Sequence, residues 1–536
     1  MKTLKVGVLF LAFMGLVLGS LYPQQASFSG SKPKKITVRP PAGKPFLSNL
    51  TPAQIEGVIS KLSCPDMLEF AKMHGLTSIK GKDITKMAAS KTGRERAMFS
   101  DRPVSASDDA NERDASIAVR PNNANIVVAA YWGGSGGASH IAYSRTSLDK
   151  GETWSDAHLL PARYAGDDVF TPVVRYAPNS SYVYAVYQSR RPDLSADDIM
   201  LSRSTNNGAT WGKPLVVFSS GDYDSDGYTD WVSYPSVDVH YFAGTSSANP
   251  YVFVTCTVLE DDGGTRALFR RSATSASTLD NATWELSAVD DPGYVAGARA
   301  IGGRSADVLV VAFGTNGIDN PSYPFYILSW SSTANGASWA NSAESQEIWD
   351  QVPFWLGPNE TYGKWTWRAS FPSVAMTPGG VAYVAYAADP VPGSADAEDG
   401  DIYVIKSPRP YSTWSRPEDL TYSFWGSQGF PAIGTKKTAN GTVVFVAYED
   451  HNYSQLDNEL YDISMMYTGQ GGGWRYARVT DVSSINAVEG QIRMDCSASS
   501  ITTDKVLHVI WTDRADMTDF YDPESDVYCD LIELIW

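Results

Sequence analysis

The stretch Asp222-Tyr-Asp224-Ser-Asp226-Gly227-Tyr-Thr-Asp230 sets three carboxylates at alternating positions, with a glycine sixth and another aspartate ninth. Hard oxygen ligands at this spacing wrap a calcium ion, and glycine permits the sharp turn between them. Asp222, Asp224, Asp226 and Asp230 are therefore candidate ligands for Ca2+, with a solvated acidic turn as the alternative. The twelfth position is Ser233 rather than Glu, and no helical pattern flanks the loop, which argues against a paired EF-hand. A second concentration of chemistry is the insertion holding Trp349, Trp355, Trp365 and Trp367, which reads equally as a stacking platform for neutral sugars or as an apolar lid over blade edges. The six histidines show no metal-ligand spacing, and neither a Gly-rich phosphate loop nor a Gly-x-Ser-x-Gly elbow occurs, so no other cofactor is implied.

What must position these groups is a ladder of tryptophans, Trp154, Trp211, Trp284, Trp339 and Trp414, each with a serine seven positions upstream. The fullest copy is Ser147-Leu-Asp149-Lys-Gly151-Glu-Thr153-Trp154; the next, from Ser204 to Trp211, has Asn206 in place of the aspartate. Serine and aspartate side chains bond the amides of their own turn, glycine takes a positive φ, and the indole packs back on the flanking strands. The turn joins the third and fourth strands of a repeated unit. First strands start near Ala115, Pro172, Pro235, Ala298, Phe371, Phe430 and Gln491, and second strands are apolar runs such as Tyr182–Tyr187 and Val443–Tyr448. Seven four-stranded units predict an all-β fold, a seven-bladed β-propeller over residues 108–536. The last unit stops after three strands, so residues 98–105 are expected to supply the fourth and close the ring.

Upstream, Lys2 and Lys5 precede an apolar run from Val6 to Leu18 and the small residues Gly19 and Ser20, the pattern of a secretory signal peptide over residues 1–20, with cleavage as late as 26. The mature protein is then expected to be secreted, periplasmic or at the cell surface, without membrane insertion after cleavage. Residues 27–107 read as a linker and small helical appendage, with one helix capped at Thr51 and another from Pro65 to His74. A formal charge of −17 makes nucleic acid an unfavourable partner. Of the four cysteines, Cys256 and Cys496 lie in strand-like runs and read as buried thiols rather than a disulfide framework.

The Ser-x-Asp-x-Gly-x-Thr-Trp turn resembles the Asp-box, or bacterial neuraminidase repeat, of sialidases and other secreted propellers. The resemblance covers most of residues 108–536 and implies the fold more firmly than an activity, since similar turns serve glycosidases, receptors and assembly factors. Propeller topology puts these turns on one face, opposite the long, acidic and aromatic loops such as Asp389–Asp401, Glu449–Asp462 and Asp513–Asp526. A sialidase needs an arginine cluster for a substrate carboxylate, a tyrosine nucleophile with a carboxylate partner, and an acid/base aspartate. Arg113, Arg299, Arg368 and Arg493 stand at or beside the start of inner strands; Asp114 or Asp230 fits the acid/base role and Glu489 the tyrosine's partner. The Arg-Ile-Pro signature of sialidases is absent, and familiar sialidases have six blades, which keeps a six-bladed ring as the alternative fold. The expectation is a sialidase-like module acting on extracellular glycans, with binding slightly ahead of exo-glycosidase hydrolysis and a protein-interaction scaffold as the third reading.

Overall fold

The structure is a computed structural model and describes residues 78–79, 82–83, 102–105 and 111–533, apart from 135–139, 179, 194, 224, 242–249, 261–263, 273–283, 289–293, 304–305, 316–324, 340–345, 353–370, 389–399, 423–427, 439–440, 451–459, 469–472, 481–483, 486–492, 497–505 and 514–525. The chain divides into two compact units. In the first, residues 1–96 with 359–363, Ser78–Ile79 pairs with Lys82–Asp83. The signal segment and the two expected helices lie outside the described residues.

The second unit, residues 97–358 and 364–536, is a seven-bladed β-propeller, and every regular element described in it is a strand. Inner strands are Asn111–Val119, Asp168–Tyr176, Trp231–His240, Tyr294–Gly302, Ser373–Met376, Gln428–Thr438 and Arg493–Cys496. Each pairs antiparallel with a second strand: Val127–Gly134, Val183–Arg190, Tyr251–Leu259, Val308–Thr315, Ala382–Ala388, Gly441–Asp450 and Val506–Asp513. Second strands are covered on both faces by neighbouring blades, so they read as continuous apolar runs; Val183–Arg190 is buried up to its last residue.

The core is a set of seams between blades rather than one centre. Phe218 and Leu201 of blade 2 pack with Val254 and Val258 of blade 3, Phe445 of blade 6 with Val509 and Trp511 of blade 7, and Ile510 of blade 7 with Ile117 and Tyr131 of blade 1. Each fully buried side chain of this size contributes about 1.5–3 kcal/mol of apolar burial. Cys256 is a buried free thiol in the seam between blades 2 and 3. The fourth strand of blade 7 is Arg102–Pro103, which pairs with Asp526–Glu533 through Arg102 opposite Cys529. Val104 N donates to Val527 O at 2.7 Å, and Ser105 Oγ accepts Val527 N at 2.9 Å. The chain thus zips its own last blade and leaves no open edge there.

In blades 1 and 2 the side chains of the serine-to-tryptophan corners bond within their own turn, while Ser277 of the blade 3 corner lies outside the described residues. Ser147 Oγ accepts Gly151 N at 2.7 Å and donates to Asp149 Oδ1 at 2.8 Å, while Asp149 accepts Thr153 N at 2.9 Å and Thr153 Oγ1 at 2.6 Å. Asn206 repeats the arrangement with Ser204 and Thr210. Gly151 sits at φ 87°, a conformation that favours glycine. The indoles wedge into the seam with the preceding blade: Trp211 Nε1 donates to Ser144 Oγ of blade 1 at 2.8 Å, and Trp339 meets Phe269 of blade 3 edge-on at 5.0 Å. Corners lie beside the turns between first and second strands, with Lys150 N bonded to Asn125 O at 2.9 Å and Asn335 N to Ala306 O at 2.8 Å. The remaining loops, from second to third strands and from each blade to the next, belong to the opposite face, called here the mouth.

Candidate functional site

The mouth ends of the inner strands share a device absent from the sequence reading. In blades 1, 2, 3, 4 and 6 the register between inner and second strand shifts at one place, after Arg113, Phe170, Ser233, Ala296 and Gly429. The next residue in each case has positive φ: Asp114 (51°), Thr171 (50°), Tyr234 (51°), Gly297 (64°) and Phe430 (50°). These are β-bulges, which bend a strand and re-aim a side chain. Left-handed backbone at non-glycine residues stores of order 1 kcal/mol or more each, a strain that gathers at functional sites. At Gly297 a Cβ would stand 2.5 Å from the Phe371 ring, so glycine here lets the aromatic of blade 5 reach over blade 4. Phe371 also meets Tyr234 edge-on at 5.5 Å, and the axial end of the mouth is therefore aromatic.

The sequence-predicted residues fall at different levels of this bulged rim. Arg113 precedes the bulge, its guanidinium 5.9 Å from the Trp132 ring centroid, and Trp132 Nε1 donates to the buried Asp114 Oδ2 at 2.8 Å. Arg299 follows the bulge of blade 4 and reaches Pro235 O of blade 3 at 3.5 Å. Arg493 pairs with Ile510 in blade 7, and Trp349 lies across from Ile327 in the outer strand Gln346–Val352 of blade 4. Arg368, Glu489, Trp355, Trp365, Trp367 and Asp224 lie outside the described residues. Asp230 is fully buried and accepts Tyr223 N at 2.8 Å, whereas Asp222 and Asp226 are exposed. The Asp222 carboxylate accepts Asp226 N and Gly227 N, each at 3.1 Å, and Gly227 has φ 95°. Among the described residues, no three His, Cys, Asp or Glu side chains form a group suited to a metal.

Among the described residues, four acidic side chains at the mouth are met by arginine. Arg190 grips Asp197 in a bidentate pair at 2.7 and 2.8 Å, Arg163 pairs with Asp198, Arg266 with Glu260, and Arg478 with Asp462 at 2.7 Å. A tyrosine beside a carboxylate also occurs in blade 1, where burial and then the Glu112 charge push Tyr131 up to about 12. Its hydroxyl accepts Arg145 Nε at 2.8 Å, and a phenol so raised is a poor nucleophile.

Sequence reasoning missed two further features of the mouth. The large aromatics that stand exposed among the described residues, Tyr164 (48%), Tyr228 (64%) and Tyr422 (73%), all sit on connections from one blade to the next. Tyr164 is flanked by the guanidinium groups of Arg163 and Arg191, 5.0 and 5.3 Å from its ring centroid. The other is Glu449, which the sequence assigns to an acidic loop. The structure puts it inside the strand Gly441–Asp450, paired with Gly429 and Ile463 and buried. Its alternation with Val443, Phe445 and Ala447 is the sequence signal that marks it as inward-facing.

No protein-family model and no curated protein sequence matches the chain. Among solved structures, it is similar to an α-L-arabinofuranosidase of Fusarium graminearum in complex with arabinobiose, at 11% identity, 81% of this chain, 98% of that chain and a TM-score of 0.47. An α-L-arabinanase of Penicillium chrysogenum complexed with arabinobiose gives 12% identity over 81% and 98% of the two chains, TM-score 0.47. A Trypanosoma rangeli sialidase gives 10% identity over 82% of this chain and 58% of that one, TM-score 0.40.

Proposed function

We propose that this chain is a secreted, sialidase-like propeller that acts on extracellular glycans through its mouth, by binding them rather than by cleaving them. The observation that carries this reading is the placement of Tyr164, Tyr228 and Tyr422, three solvent-facing rings on the mouth loops. Aromatic faces stack on sugar rings, and loops carried by a rigid scaffold are where binding residues gather. Hydrolysis is the weaker reading because Arg113 and Arg299 stand on opposite sides of the bulge, at different heights. The Asp222–Asp230 loop is proposed to take Ca2+ through Asp222, Asp224 and Asp226, with Asp230 buried as its anchor.

The test is a glycan array read beside a panel of fluorogenic glycosides, sialosides included, with calcium and with chelator. Retention of glycans without turnover is the expected result, weakened at least about fivefold, roughly 1 kcal/mol, by Tyr164→Ala or Tyr422→Ala. Turnover of any glycoside would move the reading to hydrolysis. Absence of both retention and turnover would remove the glycan reading altogether.

A further inference from the structure

His140 stands on the loop between the second and third strands of blade 1, at the mouth, and is fastened to the start of the blade 2 inner strand. Its backbone N donates to Asp168 Oδ1 at 2.8 Å, and its carbonyl accepts Val169 N at 2.8 Å. Asp168 Oδ2 also lies 3.6 Å from the ring Nδ1, so one carboxylate fixes both the main chain and the orientation of the imidazole. The side chain is nevertheless 45% exposed, and among the described residues nothing bonds its Nε2.

The ring is framed as well as tethered. Trp132 of blade 1 meets it at 4.9 Å and 78°, and Phe170 of blade 2 at 6.1 Å and 66°, both edge-on. Each frame residue is tied to a bulge: Trp132 Nε1 is held by Asp114 at φ 51°, and Phe170 immediately precedes Thr171 at φ 50°. Two strained positions therefore serve one side chain, and strain of this kind persists where it positions a functional group. A half-exposed side chain that only covered surface would need none of these restraints, because truncating such a residue costs little stability. A histidine held this firmly within reach of solvent is preorganised for a group from outside the fold.

We propose that His140 is the acceptor of a neutral-sugar subsite at the mouth of the seam between blades 1 and 2, its Nε2 taking a hydrogen bond from a sugar hydroxyl. This rests on the glycan-binding reading and names the chemistry of one of its contacts. A carboxylate beside Nδ1 draws the proton of the neutral ring to that nitrogen and leaves Nε2 as a lone-pair acceptor. An acceptor selects a partner that brings its own proton, which a hydroxyl does and a carboxylate does not. Asp168 is the charged group at the ring itself, Arg190 being paired with Asp197 and Arg113 set against Trp132, which further disfavours an anion. The half-buried rings of Trp132 and Phe170 supply apolar surface beside the acceptor for the carbon face of a sugar.

The experiment is isothermal titration of the full chain at neutral pH with lactose, arabinobiose and sialyllactose. For whichever neutral sugar binds, His140→Phe, which keeps a ring between Trp132 and Phe170 but no acceptor, is expected to lower affinity about fivefold or more. His140→Gln, which restores an acceptor, is expected to stay within about threefold of wild type. A second measurement needs no variant: in NMR of the wild-type chain with nitrogen-labelled histidine, the His140 Nε2 resonance is expected to be that of an unprotonated nitrogen and to shift as the sugar saturates, while His158 in the outer strand of blade 1 stays in place. Unchanged affinity in His140→Phe, or an Nε2 resonance that ignores the bound sugar, would overturn the subsite while leaving the glycan reading intact. So would binding of sialyllactose with neither neutral sugar. Wild-type protein that binds none of the three sugars would overturn both.

Discussion

The two ends of the blades solve opposite problems. At the corner end, Ser147, Asp149 and Thr153 satisfy one another within a single turn, and the indole of the corner is sealed in a seam. At the mouth end, five bulges hold residues at positive φ, and Glu449 lacks any partner. Left-handed residues occur at both ends, Lys150, Asn207 and Asn335 standing at the corners, and the corner indole nitrogens of Trp154, Trp339 and Trp414 are unpartnered; the difference is that the Ser147 corner meets its own carboxylate locally, whereas the mouth end buries the Glu449 carboxyl without a hydrogen-bond partner. The corner end buries an ionisable group of its own. His508, third in its strand and therefore near the corner end, is fully buried with both ring nitrogens unpartnered, close to Gly151 of the blade 1 corner.

His508 supplies the largest expected effect. Burial first, then the charges of Lys436, Lys150 and Arg102, push it down to about 3. The unfolded chain takes up a proton near pH 6.5 and the folded chain does not, so stability present above pH 6.5 is lost as pH falls toward 3. The slope is about 1.4 kcal/mol per pH unit, roughly 4–5 kcal/mol over the window. Glu449 acts in the opposite sense: its raised folded value means stability is lost as pH climbs above the ordinary carboxylate range. Denaturant melts of His508→Leu from pH 7 to 4 should lack the acid slope, and Glu449→Gln should flatten the alkaline side. A wild-type acid slope unchanged in His508→Leu would show that the closing seam does not set acid sensitivity.

Next in size is Gly297→Val. The added side chain must displace Phe371 and adopt φ 64°, which is expected to cost about 2–4 kcal/mol in melting experiments. Thr171→Gly, at the equivalent bulge of blade 2, should be neutral or stabilising by up to about 1 kcal/mol, because its left-handed strain is relieved. Equal penalties from both would mean that the bulges are not strained.

Corner chemistry gives a smaller and graded series. Ser147→Ala removes the buried acceptor of Gly151 N and should cost about 1–3 kcal/mol. Ser407 instead donates its one hydroxyl proton, to Thr413 O at 2.7 Å, so its alanine variant leaves a carbonyl rather than a buried amide unmet and should cost less. A larger loss at Ser407 would contradict the view that amide capture is what holds a corner.

These differences mark what was legible in the chain. Second strands were readable because burial on both faces removes alternation, as in Val183–Arg190. The corners were readable because their hydrogen bonds are local, between residues two to four apart. The bulges were not, although Thr171-Pro172, Tyr234-Pro235 and Phe430-Pro431 are a visible trace, because residues before proline ordinarily prefer extended backbone. That one extra residue is what separates Arg113 from Arg299, two side chains that look alike as inner-strand starts. Glu449 was hidden for another reason: a carboxylate beside Asp450 reads as loop until its ladder partners Gly429 and Ile463 are known.

The smallest effect separates binding from folding at the surface. Leu148, on the corner of blade 1, and Tyr422, on a mouth loop, are comparably exposed at 69% and 73%. Truncating either should change stability by no more than about 0.5 kcal/mol, as exposed side chains away from caps and networks generally do. Only Tyr422→Ala should weaken retention on a glycan array, since Leu148 presents no ring and lies on the sealed end. If Leu148→Ala weakened retention as much as Tyr422→Ala, the two faces would be equivalent for recognition, and the division of labour between corner and mouth would fail at its most direct point.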